Sequence, residues 1–457
     1  MADTPHVAII GAGFGGLSAA WELARRGVAV TVLEAEREIG GLAASFDVGG
    51  TRLERFYHHW FTNDRAVTEL VRELGVEKEV LFRPTRTGMY FAQQFFKLST
   101  PGDVLRFTPL SVTGRLRLGL LALRARRVKD WRALEELTAE EWLTRLGGRE
   151  VYRVVWEPLL AGKFGPYAKE VSAVWFWNKL KLRGGSRDDR GAEMLAYYRG
   201  GFAALADRLA RAVEEHGGRI RLGTPATGLV VDDGRVTGVR AGAERVEADA
   251  VIATPALPIV ADLAAPHAPP AYVERLRGIR YLANVCLVLE LDRSLSSTYW
   301  LNVNDPTFPF VGVIEHTNFE PPATYAGRHI VYLSKYLPES AELWRMGDGE
   351  VLEYALPHLM RMFPAFRRDW IIRAHVWRAR YSQPIVTRRY GAMVPAPETP
   401  LAGLFLATMA QVYPEDRGTN YAIRDGRAAA RLVADRLARP ARDRHAAVGS
   451  APPLVGA

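Results

Sequence analysis

The chain is poor in cysteine: among 457 residues there is one, Cys286. A single thiol excludes an internal disulfide and any zinc or iron–sulfur site built on several cysteines of one chain. It fits a reducing cytoplasm. Long apolar runs are also missing. The longest charge-free stretches, residues 4–21 and 399–414, are broken by glycine or proline. Neither approaches the ~18–20 apolar residues that a membrane-spanning helix needs. The opening MADTPH lacks the pattern of a secretory leader, so a cytoplasmic location is expected. No spacing of histidine, cysteine or carboxylate indicates a metal centre, and no local signature builds a Ser–His–Asp triad.

Lysine is scarce too. Of 60 basic residues 8 are lysine, which leaves 52 arginines, and the net charge is +9. A GC-rich genome accounts for the arginine. An anionic partner (phosphate, acidic lipid or nucleotide sugar) is the alternative. No recognition motif accompanies the charge, so no nucleic acid partner is expected. Apolar residues at 48% and charged residues at 24% are globular usage and exclude a mainly disordered chain.

What is present begins at the first apolar run. His6–Ile10 reads as a buried strand. Gly11-Ala12-Gly13-Phe14-Gly15-Gly16 follows, residues 17–26 read as a helix ended by Gly27, and residues 28–33 form a second apolar run closed by Glu34. Each position has a physical reason. Gly11 allows a tight turn, Gly13 lets a pyrophosphate approach the backbone, and Gly16 lets helix and strand pack closely. The phosphates then sit on a helix N-terminus. Glu34, 23 residues after Gly11, is placed to accept bonds from a ribose.

The next residues, Glu34-Ala35-Glu36-Arg37-Glu38-Ile39-Gly40-Gly41-Leu42, resemble the extension found in FAD enzymes of the amine oxidase superfamily. Further segments share the likeness. A helix–meander–"ADAVIATP" run covers residues 203–255, and Gly418-Thr419-Asn420-Tyr421 opens a last helix. The chain is thus similar, over about 430 residues, to members of the protoporphyrinogen oxidase, carotene desaturase and UDP-galactopyranose mutase type.

The resemblance implies an α/β fold: a discontinuous Rossmann-type FAD/NAD(P)-binding domain with an inserted α+β substrate domain containing an antiparallel sheet. FAD-binding segments are expected at 1–85, 199–265 and 399–438. A helical, substrate-side segment is expected at 86–198, the substrate sheet with its helices at 266–398, and a disordered tail at 439–457. It implies that Arg37 and Gly40-Gly41 wrap the pyrophosphate and ribityl chain, that backbone near Val230 reads adenine, that Thr254 lines the crevice, and that the 418–421 turn meets the pyrimidine end of the flavin. Two departures stand out. Gly40-Gly41-Leu42-Ala43 replaces the usual GGR, and Ala407-Thr408-Met409 replaces AGD, so an aspartate is missing. Asp416 or Thr419 is the expected stand-in. Cys286 is far from the C-terminal cysteine that tethers flavin in some members, so the FAD is expected to be non-covalent.

Flavin carries the redox chemistry and the protein supplies position and charge. The resemblance places Tyr57-His58-His59 near the ring. Adjacent histidines point differently on any regular element, so at most one faces the flavin, as base or anion ligand. Arg417 is the candidate holder of an anionic substrate group or of the ring. Glu315, His316 and Asn318, at the end of a strand, are candidate pocket residues, with Tyr381 and Lys163 as weaker ones. The implied function is dehydrogenation of an organic or lipid-like small molecule, with electrons passing to oxygen or a quinone. The alternative is a non-redox mutase or isomerase acting on a nucleotide-linked or lipid-linked sugar. Oligomeric state is left open.

One stretch stands apart. Residues 104–129 interleave leucines with six arginines and a lysine. Read as one helix, they either snorkel their arginines off a buried face or lie on a membrane surface.

Overall fold

The computed structural model describes residues 4–97, 101–183 and 193–438. Five short strands far apart in sequence form one parallel sheet, in the order Arg219–Arg221, Ala29–Leu33, His6–Ile10, Ala250–Ala253, Leu404–Leu406. Their apolar runs suit a sheet covered on both faces: Val7, Ala8 and Ile9 are fully buried. The chain leaves His6–Ile10 toward one neighbour and returns much later on the other side, which makes the gap between His6–Ile10 and Ala250–Ala253 the topological switch point.

Helix Phe14–Ala24 is buried along its whole length. It packs on the C-terminal helix Thr419–Leu437 at a glycine crossing. A Cβ on Gly426 would lie 2.1 Å from the Gly15 carbonyl oxygen, so two backbones touch there because neither residue has a side chain.

The second sheet has seven strands, ordered Ile371–Pro384, Tyr281–Leu291, His329–Leu337, Gly312–Glu315, Trp300–Val303, Thr87–Phe91, Gln94–Lys97. It is antiparallel except for one parallel pair, Trp300–Val303 with Thr87–Phe91. The expected antiparallel sheet is therefore mixed: a hairpin from the 86–198 segment joins its edge and brings the parallel contact with it. Strand Met194–Tyr198 pairs instead with Trp60–Phe61 and Val80–Pro84, residues of the first segment.

The single helix read over 104–129 is corrected to two, Pro101–Leu105 and Val112–Arg126. Pro109 lies in the break, where proline favours a turn over helix interior. Ser111 restarts the helix by accepting the Gly114 N–H at 3.0 Å. The capping box at Thr138 forms as its spacing requires, with reciprocal bonds to Glu141 of 2.8 and 3.2 Å. The charged stretch 187–190 and the tail 439–457 lie outside the described residues. No helix of the described residues is long and apolar enough to cross a membrane.

Candidate active site: a nucleotide crevice and a polar, aromatic cluster

The glycine loop occupies the switch point. Gly11 has φ +100°, and a Cβ there would meet Thr254 Oγ1 at 2.5 Å. A Cβ on Gly16 would meet the Gly11 carbonyl at 1.9 Å. Gly13 differs: a Cβ would find nothing nearer than 3.9 Å, so this peptide is open on the side a phosphate needs. Helix Phe14–Ala24 begins at Gly13 with no side-chain cap and no acid in its first turn. Its first N–H groups are therefore available to an anion. Gly40 donates its N–H to Ala12 at 2.9 Å, and Gly41 sits against Gly13, so the two glycine pairs form one cradle. Glu34 is buried at the rim. Its two oxygens accept the N–H groups of Ala12 at 2.6 Å and Glu36 at 3.0 Å, and lone pairs are left over for hydroxyls. Ala35 and Arg37 are exposed beside it, and Leu42 is half-buried.

These residues fit a dinucleotide. The other expected contacts vary. Thr254 gives its hydroxyl to the Ile10 carbonyl at 2.8 Å, so it buttresses the loop. Val230 lies at a register shift in strand Gly228–Asp232. Gly418 is exposed at the uncapped start of helix Thr419–Leu437, with Thr419 and Tyr421 half-buried. Asn420 turns away, because its Oδ1 accepts the Val67 N–H at 3.2 Å and so satisfies another helix.

A second group of side chains gathers where the C-terminal turn, the second sheet and helix Ala173–Arg183 meet. Arg417 donates to the Tyr336 hydroxyl at 2.8 Å. Asp416 accepts from Gln383 at 3.2 Å and faces Lys179 at 2.5 Å and Lys163 at 3.5 Å. Burial opposes its ionisation, yet Lys163, Lys179 and Arg417 together hold its carboxyl well below the usual range. This commits Asp416 to the cluster, so it does not replace the missing phosphate-side aspartate. Tyr57 meets Ser334 and Tyr336 and crosses Trp300 edge-on at 4.8 Å.

His58 gives its Nδ1 proton to the Phe56 carbonyl at 2.5 Å, since a carbonyl can only accept. Burial, aided by the charge of Arg417, lowers its pKa to about 4 despite that bond. At neutral pH it is a neutral imidazole with a lone pair on Nε2. His59 points elsewhere, to the Tyr299 hydroxyl at 2.9 Å.

Three buried polar atoms of this group find no partner among the described residues: Arg417 Nε, Gln383 Oε1 and Trp175 Nε1. Buried polar groups left open are costly, so these three are candidates for contact with water or a ligand. Of this cluster the sequence points to Arg417, Tyr57 and His58, with Lys163 as a weaker candidate and Asp416 in another role. Lys179, Tyr336 and Gln383 were missed. The one available signal was the alternation Tyr332, Ser334, Tyr336 along strand His329–Leu337, which puts all three on one face.

The expected pocket residues of the second sheet are occupied otherwise. Glu315 holds the 294–296 loop by accepting the N–H groups of Leu295 and Ser296 at 3.1 and 2.8 Å. Asn318 donates to the Ser296 and Thr298 carbonyls at 2.8 and 3.0 Å. His316 is bonded to the Tyr325 hydroxyl at 2.7 Å in the core. Tyr381 is half-buried and meets the Tyr281 ring at 5.5 Å. No group of acidic, His or Cys side chains able to hold a metal exists among the described residues.

A parallel sheet with a glycine cradle at its switch point, meeting a second sheet through a polar cluster, defines a dinucleotide-binding fold. The sequence model of the family described as "Flavin containing amine oxidoreductase" matches residues 14–434, and the chain belongs to that family. Its cofactor is FAD. A coproporphyrinogen III oxidase of Staphylococcus aureus is 27% identical over 175 residues, 35% of this chain and 37% of that protein. An all-trans-zeta-carotene desaturase of Myxococcus xanthus is 26% identical over 300 residues, 54% of this chain and 52% of that protein. The chain thus spans 37% and 52% of the lengths of these two relatives. A reduced UDP-galactopyranose mutase superposes with a TM-score of 0.73 at 16% identity, covering 97% of this chain and 98% of that one; this likeness shows the fold.

Proposed function

We propose that the chain dehydrogenates an organic, lipid-like small molecule and passes the electrons to oxygen or a quinone. FAD, when bound, supplies the acceptance of a hydride equivalent. The observation that carries the reading is a neutral His58 under the charge of Arg417, whose Nε, like Gln383 Oε1, has no partner among the described residues. His58 Nε2 is the group able to take a proton as the substrate loses hydrogen. Arg417 orients the substrate through Nε, its terminal nitrogen being fixed on Tyr336. Tyr57 and Trp300 flank the chamber and exclude water. Non-covalent FAD is part of this reading: Cys286 lies fully buried inside the second sheet, where burial pushes its thiol up and away from nucleophilic use.

A second reading draws on the same site. Lys163, Lys179 and Arg417 gather around the carboxylate of Asp416. A cationic cluster also suits a diphosphate, hence a mutase or isomerase of nucleotide-linked or lipid-linked sugars. One experiment separates the two. The yellow protein is photoreduced without air and then given oxygen, a quinone or a sugar nucleotide. Rapid bleaching reversal by oxygen or quinone supports the oxidoreductase. Turnover of a sugar nucleotide confined to the reduced protein overturns it in favour of the second reading.

A further inference from the structure

Helix Val112–Arg126 is apolar on two opposite faces. One face carries Gly114, Leu118, Leu121 and Ala125, all buried. It packs on the helices Ala139–Val151 and Ala173–Arg183, and Trp177 Nε1 donates to the Ala125 carbonyl at 2.9 Å. The other face has no cover. Val112 is 68% exposed, Leu116 62%, Leu120 41% and Leu123 55%. At ~100° per residue these four fall within about 80° of arc, opposite the buried face. Leu105, 59% exposed, adjoins them, because Arg115 donates to its carbonyl at 2.9 Å. Five of the twelve exposed large apolar side chains among the described residues thus lie within residues 105–123. Scattered exposed leucines need no explanation, but an aligned stripe does.

The charges around the stripe are of one sign. Residues 104–129 hold seven basic residues and no acidic one. On the wheel Arg115 and Arg126 border the stripe on one side, Arg117 and Arg124 on the other, and Arg127 lies at its end. Arg124, Arg126, Arg127 and Lys129 are exposed and make no ion pair among the described residues. An apolar stripe between two arginine borders is complementary to a bilayer surface: the leucines reach the acyl boundary while the guanidinium groups meet lipid phosphates. A protein partner would need an acidic rim around an apolar groove; an anionic leaflet offers both features everywhere.

We propose that the Val112–Leu123 stripe of helix Val112–Arg126, with adjoining Leu105 and the flanking arginines, is a docking surface for an anionic lipid bilayer. The inference does not rest on the substrate proposed above. The helix packs directly on Ala173–Arg183, which carries Lys179 and Trp175 of the polar cluster, so docking sets the reaction chamber one helix away from the leaflet.

The test uses the full FAD-loaded chain. It is sedimented with phosphatidylcholine vesicles, and with vesicles in which part of the phosphatidylcholine is replaced by phosphatidylglycerol, at low and high salt. The protein should pellet with the anionic vesicles and be released as salt rises. Leu116→Ser/Leu120→Ser should weaken binding by about tenfold or more. Arg124→Gln/Arg126→Gln should weaken it by roughly tenfold or more, and on anionic vesicles only. All four positions are exposed, so flavin content and thermal unfolding should match the parent, which shows that the variants fold. Equal binding of parent and leucine variant overturns the proposal. So does a parent that ignores vesicles but runs as a dimer that the leucine variant splits, because the stripe is then an interface between copies of this chain.

Discussion

Two buried histidine clusters lie close together in this protein, and they differ in one respect. Around His316 every strong group is answered. Tyr197 donates to Glu54 at 2.7 Å, the Phe202 N–H donates to the other oxygen at 2.5 Å, Tyr332 donates to the Glu54 carbonyl at 2.7 Å, and His316 bonds Tyr325. Around His58 the network stops short, at Arg417 Nε and Gln383 Oε1. His316 is buried and His58 half-buried, and removal from water lowers both pKa values, to about 3 and about 4. Desolvation and perturbed titration therefore do not mark the reactive site here. Open valence separates the two clusters; other buried polar atoms among the described residues are unpartnered too, such as Tyr272 Oη and Asn304 Oδ1, so the ligand-facing role of Arg417 and Gln383 belongs to the function proposed above.

The largest expected effect breaks this comparison if it fails. His58→Ala should lower turnover by roughly two to four decades while flavin content stays normal. His316→Ala should leave turnover within about twofold and instead lower stability by about 1–3 kcal/mol, because the Tyr325 hydroxyl loses its buried partner. Steady-state rates and denaturant unfolding on both variants decide the matter. Equal loss of turnover in the two would erase the distinction drawn between the clusters.

The same contrast explains what was legible in the sequence. The glycine cradle was readable residue by residue, because its parts, Gly11 to Gly41, lie within 31 residues of one another and the chemistry of each is local. Strands His6–Ile10 and Ala29–Leu33 were readable from their apolar runs, whereas the return of Ala250–Ala253 and Leu404–Leu406 to the same sheet was implied by likeness alone. The polar cluster was not readable as a unit. Lys163, Lys179, Tyr336, Gln383 and Asp416 span more than half the chain, and only sheet packing brings them together. Glu315 and His316 misled for a related reason. A polar run at a strand end faces either a pocket or a core depending on strand parity, which neighbouring strands fix. The 104–129 stretch misled by its composition, since Pro109 and Ser111 outweigh the helical spacing around them.

Glu54 offers a smaller, pH-resolved test of the closed cluster. Burial pushes its carboxyl from 4.5 up to about 7, against the bonds from Tyr197 and Phe202. Between pH 4.5 and 7 the unfolded carboxyl is ionised while the folded one keeps its proton. Its contribution to stability is thus fully present below about 4.5 and is lost as pH rises through about 7. The histidines act in the opposite sense, losing stability as pH falls below 6.5, but they are common to parent and variant. The stability of the parent minus that of Glu54→Gln should therefore fall as pH rises across this window, by at most about 3 kcal/mol, and stay level above it. A flat difference from pH 4 to 8 would show that Glu54 is ionised throughout and the cluster is not closed in the sense described.

Glu34 sharpens the comparison because it combines both conditions in one side chain. Its oxygens already accept two backbone N–H groups, from Ala12 and Glu36, as a structural carboxylate would. Yet a carboxylate has about four acceptor sites, and this one sits at the rim of the cradle, beside exposed Ala35 and Arg37. The remaining sites suit ribose hydroxyls, a charge-assisted contact contributing about 1.5–3 kcal/mol. Glu34→Ala removes the ribose contact and also frees two loop N–H groups. Glu34→Gln keeps the shape and one acceptor oxygen but removes the charge. FAD titration of the apoprotein, followed by flavin fluorescence, should show affinity reduced by one to two decades in Glu34→Ala and by about one decade in Glu34→Gln, with circular dichroism unchanged in both. Parent-like affinity in Glu34→Gln with a weakened Glu34→Ala would assign Glu34 to loop support alone. It would then belong with Glu54 among the struts.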